Sequence, residues 1–296
     1  MFNLIVCIKQ VPMVSELPWD SKTGTLKREL AQGMMDPASG YALEAALQLK
    51  AFLLAQDSPV QLTALTMGPP MAEEILHQSI AMGADQGVLL TDRCMAGADT
   101  FLTSHVLARF IRKACPEFDL VLCGSQTADS ETAQVGPQLA EELGIPAIGY
   151  ARSMAFAEGA ASLQKPCCLR VERHVDDFLE LLEMDLPGLV TIDHEDGGSV
   201  YRPRYTALDG IEAAFESPRV RIVHGAELEL SPGFNALKDS PTRILEVYSP
   251  TSQKENRLLK GAVKKSVDTL FQDYGKIISG AMGKDLKTHE HGEEEA

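Results

Sequence analysis

The chain reads as an α/β protein built on a mostly parallel sheet with flanking helices, and three observations carry that expectation. Strand-like runs at residues 4–11, 60–67, 87–90 and 120–123 alternate with helix-like runs at 41–56, 72–82, 100–114 and 132–143. The strand-like runs are continuously apolar rather than alternating, as in Leu4, Ile5, Val6, Cys7, Ile8 and in Leu120, Val121, Leu122, Cys123. Strands buried on both faces of a parallel sheet have that texture. Each strand-like run then opens into a polar or proline-bearing junction, and in such sheets ligands gather at the carboxyl ends of the strands.

Taken in order, the first strand leads into Lys9, Gln10, Val11 and Pro12, and the first helix is preceded by Asp36, Pro37, Ala38 and Ser39, with Ser39 as its expected N-cap. The second strand ends at Met67 and Gly68, and Pro69 and Pro70 suit the start of the next helix. The fourth strand ends at Cys123, Gly124 lets the chain turn, and a polar loop with Thr127, Asp129, Ser130 and Glu131 leads to a helix expected to be capped by Thr132, with Ala133, Gln134 and Val135 as its first turn. First-turn N–H groups lack partners inside a helix and carry the positive end of its dipole, so that junction suits a phosphate or pyrophosphate. An ordinary strand-to-helix turn accounts for the same pattern. Neither G-x-x-x-x-G-K-[ST] nor G-x-G-x-x-G occurs in the stretch, and Pro137 lies at the limit of what a first turn tolerates.

Beyond Ile145 the texture changes to shorter strand-like pieces at 147–155, 167–173 and 189–192, as expected where a mixed sheet ends. From Glu195 onward Gly197, Gly198, Pro203, Pro218, Pro232 and Pro241 break up the chain. The domain reading is therefore a nucleotide-binding α/β domain over residues 1–194 and, over 195–296, an extended C-terminal arm with a terminal helix near 254–275, stable mainly when laid on a partner subunit.

Composition narrows the function classes. A net charge of −15 disfavours nucleic acid and anionic membrane surfaces as partners, and no run is long and apolar enough for membrane insertion. Six cysteines show neither C-x-x-C nor zinc spacing, and seven histidines form no H-E-x-x-H, so no metal site is expected. No G-x-S-x-G elbow is present for a serine hydrolase, and Asp129 and Glu131 are read as ligand or capping groups rather than an acid–base pair, so no catalytic residue is assigned. With no secretory segment at the start of the chain, a reducing, cytoplasmic setting is expected.

The loop GSQTADSETAQVGP, the stretch VERHVDDFLELLEMDLPGLVTI at residues 171–192 and PRYTALDGI at 203–211 resemble the β subunit of electron transfer flavoproteins, as do the opening VCIKQVP, DPASGYALEAALQLK and TMGPPMAEEILHQSIAMGAD. The resemblance implies a Rossmann-like fold of the adenine nucleotide alpha hydrolase-like kind and a heterodimer with an α subunit that carries FAD. It implies an adenine nucleotide bound in this chain by Cys7, Asp36, Pro37, Ala38, Ser39, Met67, Gly68, Cys123, Gly124, Thr127, Asp129, Ser130, Glu131, Thr132, Ala133, Gln134 and Val135. The run from Asp129 to Pro137 looks like the electron-bifurcating form of the family, which implies FAD in this pocket, NADH as electron donor near Gly68, Pro69 and Pro70, and ferredoxin or flavodoxin as one acceptor. The alternative is AMP bound as a structural nucleotide, with acyl-CoA dehydrogenases as donors. Leu208 matches the family's docking leucine, but the lysine-rich run that follows it in housekeeping members is replaced by Asp209, Gly210, Ile211 and Glu212, which points to a dedicated dehydrogenase or an enoyl-CoA-type reductase. Tyr201 and Arg202 also depart from the family's usual pair before Pro203.

Overall fold

A computed structural model describes residues 1–13, 19–20, 25–26, 33–157, 166–194, 199–206, 208–242, 259 and 261–289. Its centre is a nine-stranded sheet. The parallel strands come first: β1 (Phe2–Cys7), β6 (Val60–Met67), β7 (Gln86–Leu90), β8 (Leu120–Gly124), β9 (Ala147–Phe156), β12 (Gly188–Ile192) and β13 (Val220–Val223). They stand in the order β9-β12-β8-β1-β6-β7-β13, and β10 (Cys168–Val175) and β11 (Phe178–Asp185) extend the β9 edge as an antiparallel hairpin. The mostly parallel α/β architecture expected from the apolar runs is the one found.

Alternate residues of each strand serve two cores, because successive side chains leave a strand on opposite faces. Leu4, Val6, Leu62, Ala64, Leu120 and Leu122 pack under α1 (Pro37–Ala55) and α2 (Glu73–Met82), whereas Ile5, Leu65, Val88, Val121 and Cys123 pack under α3 (Thr100–Ala114) and α4 (Val135–Leu143). Chain order makes the sheet doubly wound. From β1 the chain moves outward through β6 to β7, then crosses back over β1 to β8 and out to β9, and after the β10–β11 hairpin it returns to place β12 between β8 and β9. Winding reverses between β1 and β8, and their carboxyl ends flank the crevice that such a reversal leaves open.

Several boundaries differ from expectation for identifiable reasons. The first strand stops at Cys7 rather than Val11, because Lys9 has both of its backbone groups bonded to the start of α1. Gln10–Pro12 forms a separate strand, β2, paired with β5 (Gly33–Met35), and two short strands, β3 (Trp19–Asp20) and β4 (Thr25–Leu26), pair with each other. Helix α1 begins at Pro37, with Asp36 as the N-cap and Ser39 inside the first turn, since proline's fixed φ and missing N–H suit the first helical position. The β10–β11 hairpin turns over Asp176 and Asp177 alone, with Val175 opposite Phe178 and Asp176 left-handed at φ 52. Aspartate tolerates that conformation better than most side chains.

The C-terminal part is less extended than the proline and glycine pattern implies. Helix α5 (Leu208–Glu216) lies against α2, where His77 stacks on Phe215 at 4.2 Å and its Nδ1 lies 3.0 Å from the Ala214 carbonyl. Strand β13 then completes the far edge of the sheet, register-paired with β7 from Val220 opposite Gly87. The compact unit accordingly runs over Met1–Val247, past the boundary expected at 194, and Tyr248–Ala296 forms a second unit. The first unit also contains α6 (Ala236–Asp239), and the second carries α7 (Val263–His289), a longer and later helix than the one expected near 254–275. Gly197 and Gly198 lie outside the described residues. No helix among the described residues is long and apolar enough to cross a membrane.

Candidate functional site

The residues expected to share a pocket converge on the carboxyl edge of the sheet. Cys7 ends β1, Met67 ends β6 with Gly68 next, and Cys123 and Gly124 end β8 beside the start of α1. Gly124 is glycine for a steric reason, since a Cβ there would lie 2.7 Å from Cβ of Ala38 and 2.8 Å from its carbonyl carbon. Gly136 is equally confined. Its Cβ would meet Cγ2 of Thr191 at 2.6 Å, so α4 can lie close on β12 only because that side chain is missing.

Asp36 ties the rim together. It is 1% exposed, its Oδ2 accepts from the Ser39 N–H at 3.1 Å and its Oδ1 accepts from the Ala128 N–H at 2.8 Å. The Ser39 hydroxyl accepts from the Lys9 N–H at 3.0 Å. Asp36 and Ser39 thus spend their side-chain oxygens inside the protein, as struts between β1, α1 and the loop after β8. Pro37 is exposed at the first turn of α1, and Ala38 is buried beneath Gly124.

The 125–134 loop is the exposed side of the crevice. The Glu131 N–H donates to the Thr127 carbonyl at 2.8 Å, and the Thr127 and Ser130 hydroxyls lie 2.7 Å apart. Asp129 pairs with the Lys9 ammonium at 2.7 Å. Burial raises the Asp129 carboxyl, but the hydrogen bond and charge of Lys9, with the Thr127 and Ser130 hydroxyls, outweigh it and hold the group below the usual carboxylate range. Glu131 and Ala133 are left-handed at φ 50 and 55, conformations that non-glycine residues adopt rarely.

Thr132 does not cap the following helix. Helix α4 starts at Val135 with Gln134 in the N-cap position. A start at Thr132 would set Pro137 in the helix interior, where its missing N–H and its ring disrupt the ladder, whereas a start at Val135 keeps it in the first turn. Gln134 supplies no side-chain cap either, because its amide oxygen accepts from the Thr100 hydroxyl at 2.9 Å. The mouth of α4 is therefore open, and left-handed Ala133 directly before right-handed Gln134 turns successive N–H groups toward one side, the arrangement of an anion-binding nest.

Cys7 and Cys123 are register partners on adjacent strands. A hydrogen bond with Cys7, and then burial, push the Cys123 thiol well above its usual range, so it stays protonated and acts as a small packing group. Residues not assigned to the pocket from the sequence complete the rim. The Ser125 hydroxyl lies 3.1 Å from Nδ1 of His194, whose ring meets Tyr41 edge-on at 6.4 Å. Arg202 donates to the Tyr41 hydroxyl at 3.3 Å, and buried Tyr201 accepts from the Met154 N–H at 3.0 Å, which accounts for the unusual pair before Pro203. His194, just past the carboxyl end of an apolar strand, and the Tyr201–Arg202 pair had visible signals in the sequence, whereas Ser125 and Tyr41 had none. The crevice itself is an open rim; two hollows of about 480 and 340 Å³ lie elsewhere, against α3, the first beside residues 231–234 and the second beside β13.

Fold and crevice define a doubly wound α/β protein whose rim of backbone N–H groups opens at the switch point of its sheet. Residues 23–203 match the model of the electron transfer flavoprotein domain, a span that holds every rim residue except those at the end of β1. The chain is 36% identical over 270 residues to the electron transfer flavoprotein subunit beta of Thermoanaerobacterium thermosaccharolyticum, covering 91% of this chain and 96% of that one. It is 37% identical to the caffeyl-CoA reductase-Etf complex subunit CarD of Acetobacterium woodii, covering 90% and 94%, and 35% identical to the acryloyl-CoA reductase electron transfer subunit gamma of Anaerotignum propionicum, covering 90% and 96%. This chain belongs to the electron transfer flavoprotein family, as a β subunit.

Proposed function

We propose that this β subunit binds FAD in the crevice between β1 and β8 and, paired with an electron transfer flavoprotein α subunit, takes electrons from NADH. One electron passes to ferredoxin or flavodoxin and the other, through the α subunit, to a dedicated dehydrogenase or enoyl-CoA-type reductase. The observation that carries the reading is the uncapped mouth of α4, with left-handed Ala133 before Gln134, set at the switch point. Open N–H groups with the positive end of a helix dipole suit a diphosphate, and the small residues Gly124 and Gly136 leave the backbone approachable. FAD, when bound, supplies a two-electron acceptor that can release electrons singly. The residues do the holding: the loop amides at 133–136 face the phosphates, Asp36 and Ser39 keep the rim closed on the α1 side, and Gly68, Pro69 and Pro70 border the approach for NADH.

The partner assignments rest on the relatives, two of which carry a CoA-ester reductase in their names. Exposed apolar side chains on this chain offer surface for them. Phe178, Leu179 and Leu181 stand out from edge strand β11, and Leu208, the expected docking residue, heads α5 at 77% exposure. In this reading the second unit, Tyr248–Ala296, would pack on the α subunit.

Acid release of nucleotides from the purified α/β complex tests the reading. Two FAD per dimer is the expected result, and one FAD with one AMP would transfer the chain to the structural-nucleotide type. Ala133→Val places a β-branched residue at φ 55 and should reduce the nucleotide held by this subunit severalfold. Full occupancy in that variant removes the phosphate from the mouth of α4.

A further inference from the structure

The rim of the crevice is closed by a circuit of four hydrogen bonds that joins three segments of chain. The Lys9 N–H donates to the Ser39 hydroxyl at 3.0 Å, and the Asp36 N–H donates to the Lys9 carbonyl at 2.9 Å. Ala128 donates its N–H to Asp36 Oδ1 at 2.8 Å. The Lys9 ammonium donates to Asp129 Oδ1 at 2.7 Å, which returns the circuit to its start. Three links involve main chain and the buried side chains of Asp36 and Ser39, 1% and 3% exposed. The fourth is different: the side chains of Lys9 and Asp129 are 40% and 30% exposed, and both partners are charged.

Exposed ion pairs contribute little, because water and salt screen them and two long side chains must be held still. The Lys9–Asp129 link is thus the one that opens without disturbing the fold. When it opens, the two backbone bonds of Lys9 keep its Cα fixed at the end of β1, so the ammonium stays over the crevice. Asp129 lies four residues before left-handed Ala133, on the same loop that turns its N–H groups into the mouth of α4. A diphosphate seated at that mouth brings more negative charge than a carboxylate and several acceptor oxygens, and an ammonium pairs readily with it.

We propose that Lys9 is a nucleotide-binding residue whose ammonium leaves Asp129 for a phosphate oxygen of the bound nucleotide, so that Asp129 and the ligand compete for one cation. The inference rests on the crevice reading above and adds a residue to it. Lys9 sets preference for phosphorylated ligands, and Asp129 holds the cation in place while the crevice is free.

The test uses the α/β complex depleted of the β-subunit nucleotide and titrated with ADP, FAD and adenosine. Asp129→Asn removes the competing charge while keeping the side-chain shape, and is expected to tighten ADP and FAD about two- to fivefold. Lys9→Met is expected to weaken both about tenfold or more, with adenosine changed less than twofold and Lys9→Arg restoring most of the loss. A gain of affinity in Asp129→Asn is not something that misfolding produces, which keeps the test decisive if Lys9→Met proves unstable. Equal ADP affinity in wild type, Asp129→Asn and Lys9→Met overturns the exchange and leaves the crevice reading intact. Absence of ADP, FAD and adenosine binding to the wild-type complex overturns both.

Discussion

Helices α1 and α4 begin on the same edge of the same sheet, on opposite faces and on either side of one crevice, yet their first turns are built in opposite ways. At α1 the Asp36 carboxylate caps the helix, Pro37 removes an N–H that would need a partner, and the Ser39 hydroxyl takes up the Lys9 N–H. At α4 the N-cap side chain is turned away to Thr100, and two left-handed residues precede the helix. A sealed helix start serves as scaffold, and an open one leaves hydrogen-bonding capacity for something other than the chain itself. The contrast teaches that the strand ends locate the crevice, whereas capping decides which wall of it faces a ligand.

Strapping from outside reinforces the sealed wall, and breaking the strap should have the largest effect. Arg204 makes two hydrogen bonds to Glu44 of α1, at 2.8 and 3.0 Å, and the Glu44 side chain is 7% exposed. Burial raises the Glu44 carboxyl, but hydrogen bonds from Arg204 and Gln48 and the charge of Arg204 outweigh it, so the group sits below its usual range. A depressed folded value means that the pair stabilises the protein above the ordinary carboxylate range and that this stability is lost as pH falls through the depressed value. Arg204→Ala leaves a buried carboxylate without its partner and should cost about 3 kcal/mol in urea unfolding at pH 7. With Arg204 gone, burial outweighs the remaining hydrogen bond from Gln48 and raises Glu44, so the deficit should narrow as pH falls through the ordinary carboxylate range and close below the depressed wild-type value, where both proteins protonate the group. A deficit independent of pH would mean that Arg204 acts by packing.

Asp36→Ala addresses the seal itself. It deletes the cap of α1 and the acceptor for Ala128, and should cost about 2 kcal/mol in the same unfolding measurement. Because Asp36 also positions the 125–134 loop, nucleotide content should fall in a sample that is still folded. A stability loss with full occupancy would separate the strut from the pocket.

What was legible in the sequence follows the range of the forces involved. The strand at Val60–Met67 and the helix at Thr100–Ala114 have the bounds read from their apolar pattern, since burial imprints a period on a local stretch. The converging strand ends were legible for the same reason. Thr132 was a reasonable cap by local rules, and the competing demand of Pro137, five residues on, moved the helix start. Strand β11 escaped notice because its glutamates and leucines, exposed on an edge, follow no clean alternation. Strand β13 joins β7 from more than a hundred positions away, and the Arg204–Glu44 pair spans 160, distances at which sequence spacing carries no information. Within the site, the loop 127–135 was visible as a motif, but the struts Asp36 and Ser39 and the reach of Lys9 depend on three segments meeting in space.

The smallest expected effect gives the sharpest test of the contrast, because it makes α4 resemble α1. Gln134→Ser puts a short hydroxyl in the N-cap position, where it can accept from the Gly136 N–H; the next N–H that a cap would take is missing, since that residue is Pro137. With only one donor to satisfy, the gain should be about 0.5 kcal/mol. That hydroxyl would occupy the space in which a phosphate oxygen accepts from the same N–H, so nucleotide affinity should fall as stability rises. If stability and affinity both rise, the mouth of α4 is open for a structural reason and the ligand's phosphates lie elsewhere on the rim. Opposite movements of the two quantities show that the missing cap is the condition for binding, and that the cost of leaving a helix start unsatisfied in the free chain is recovered when the nucleotide arrives.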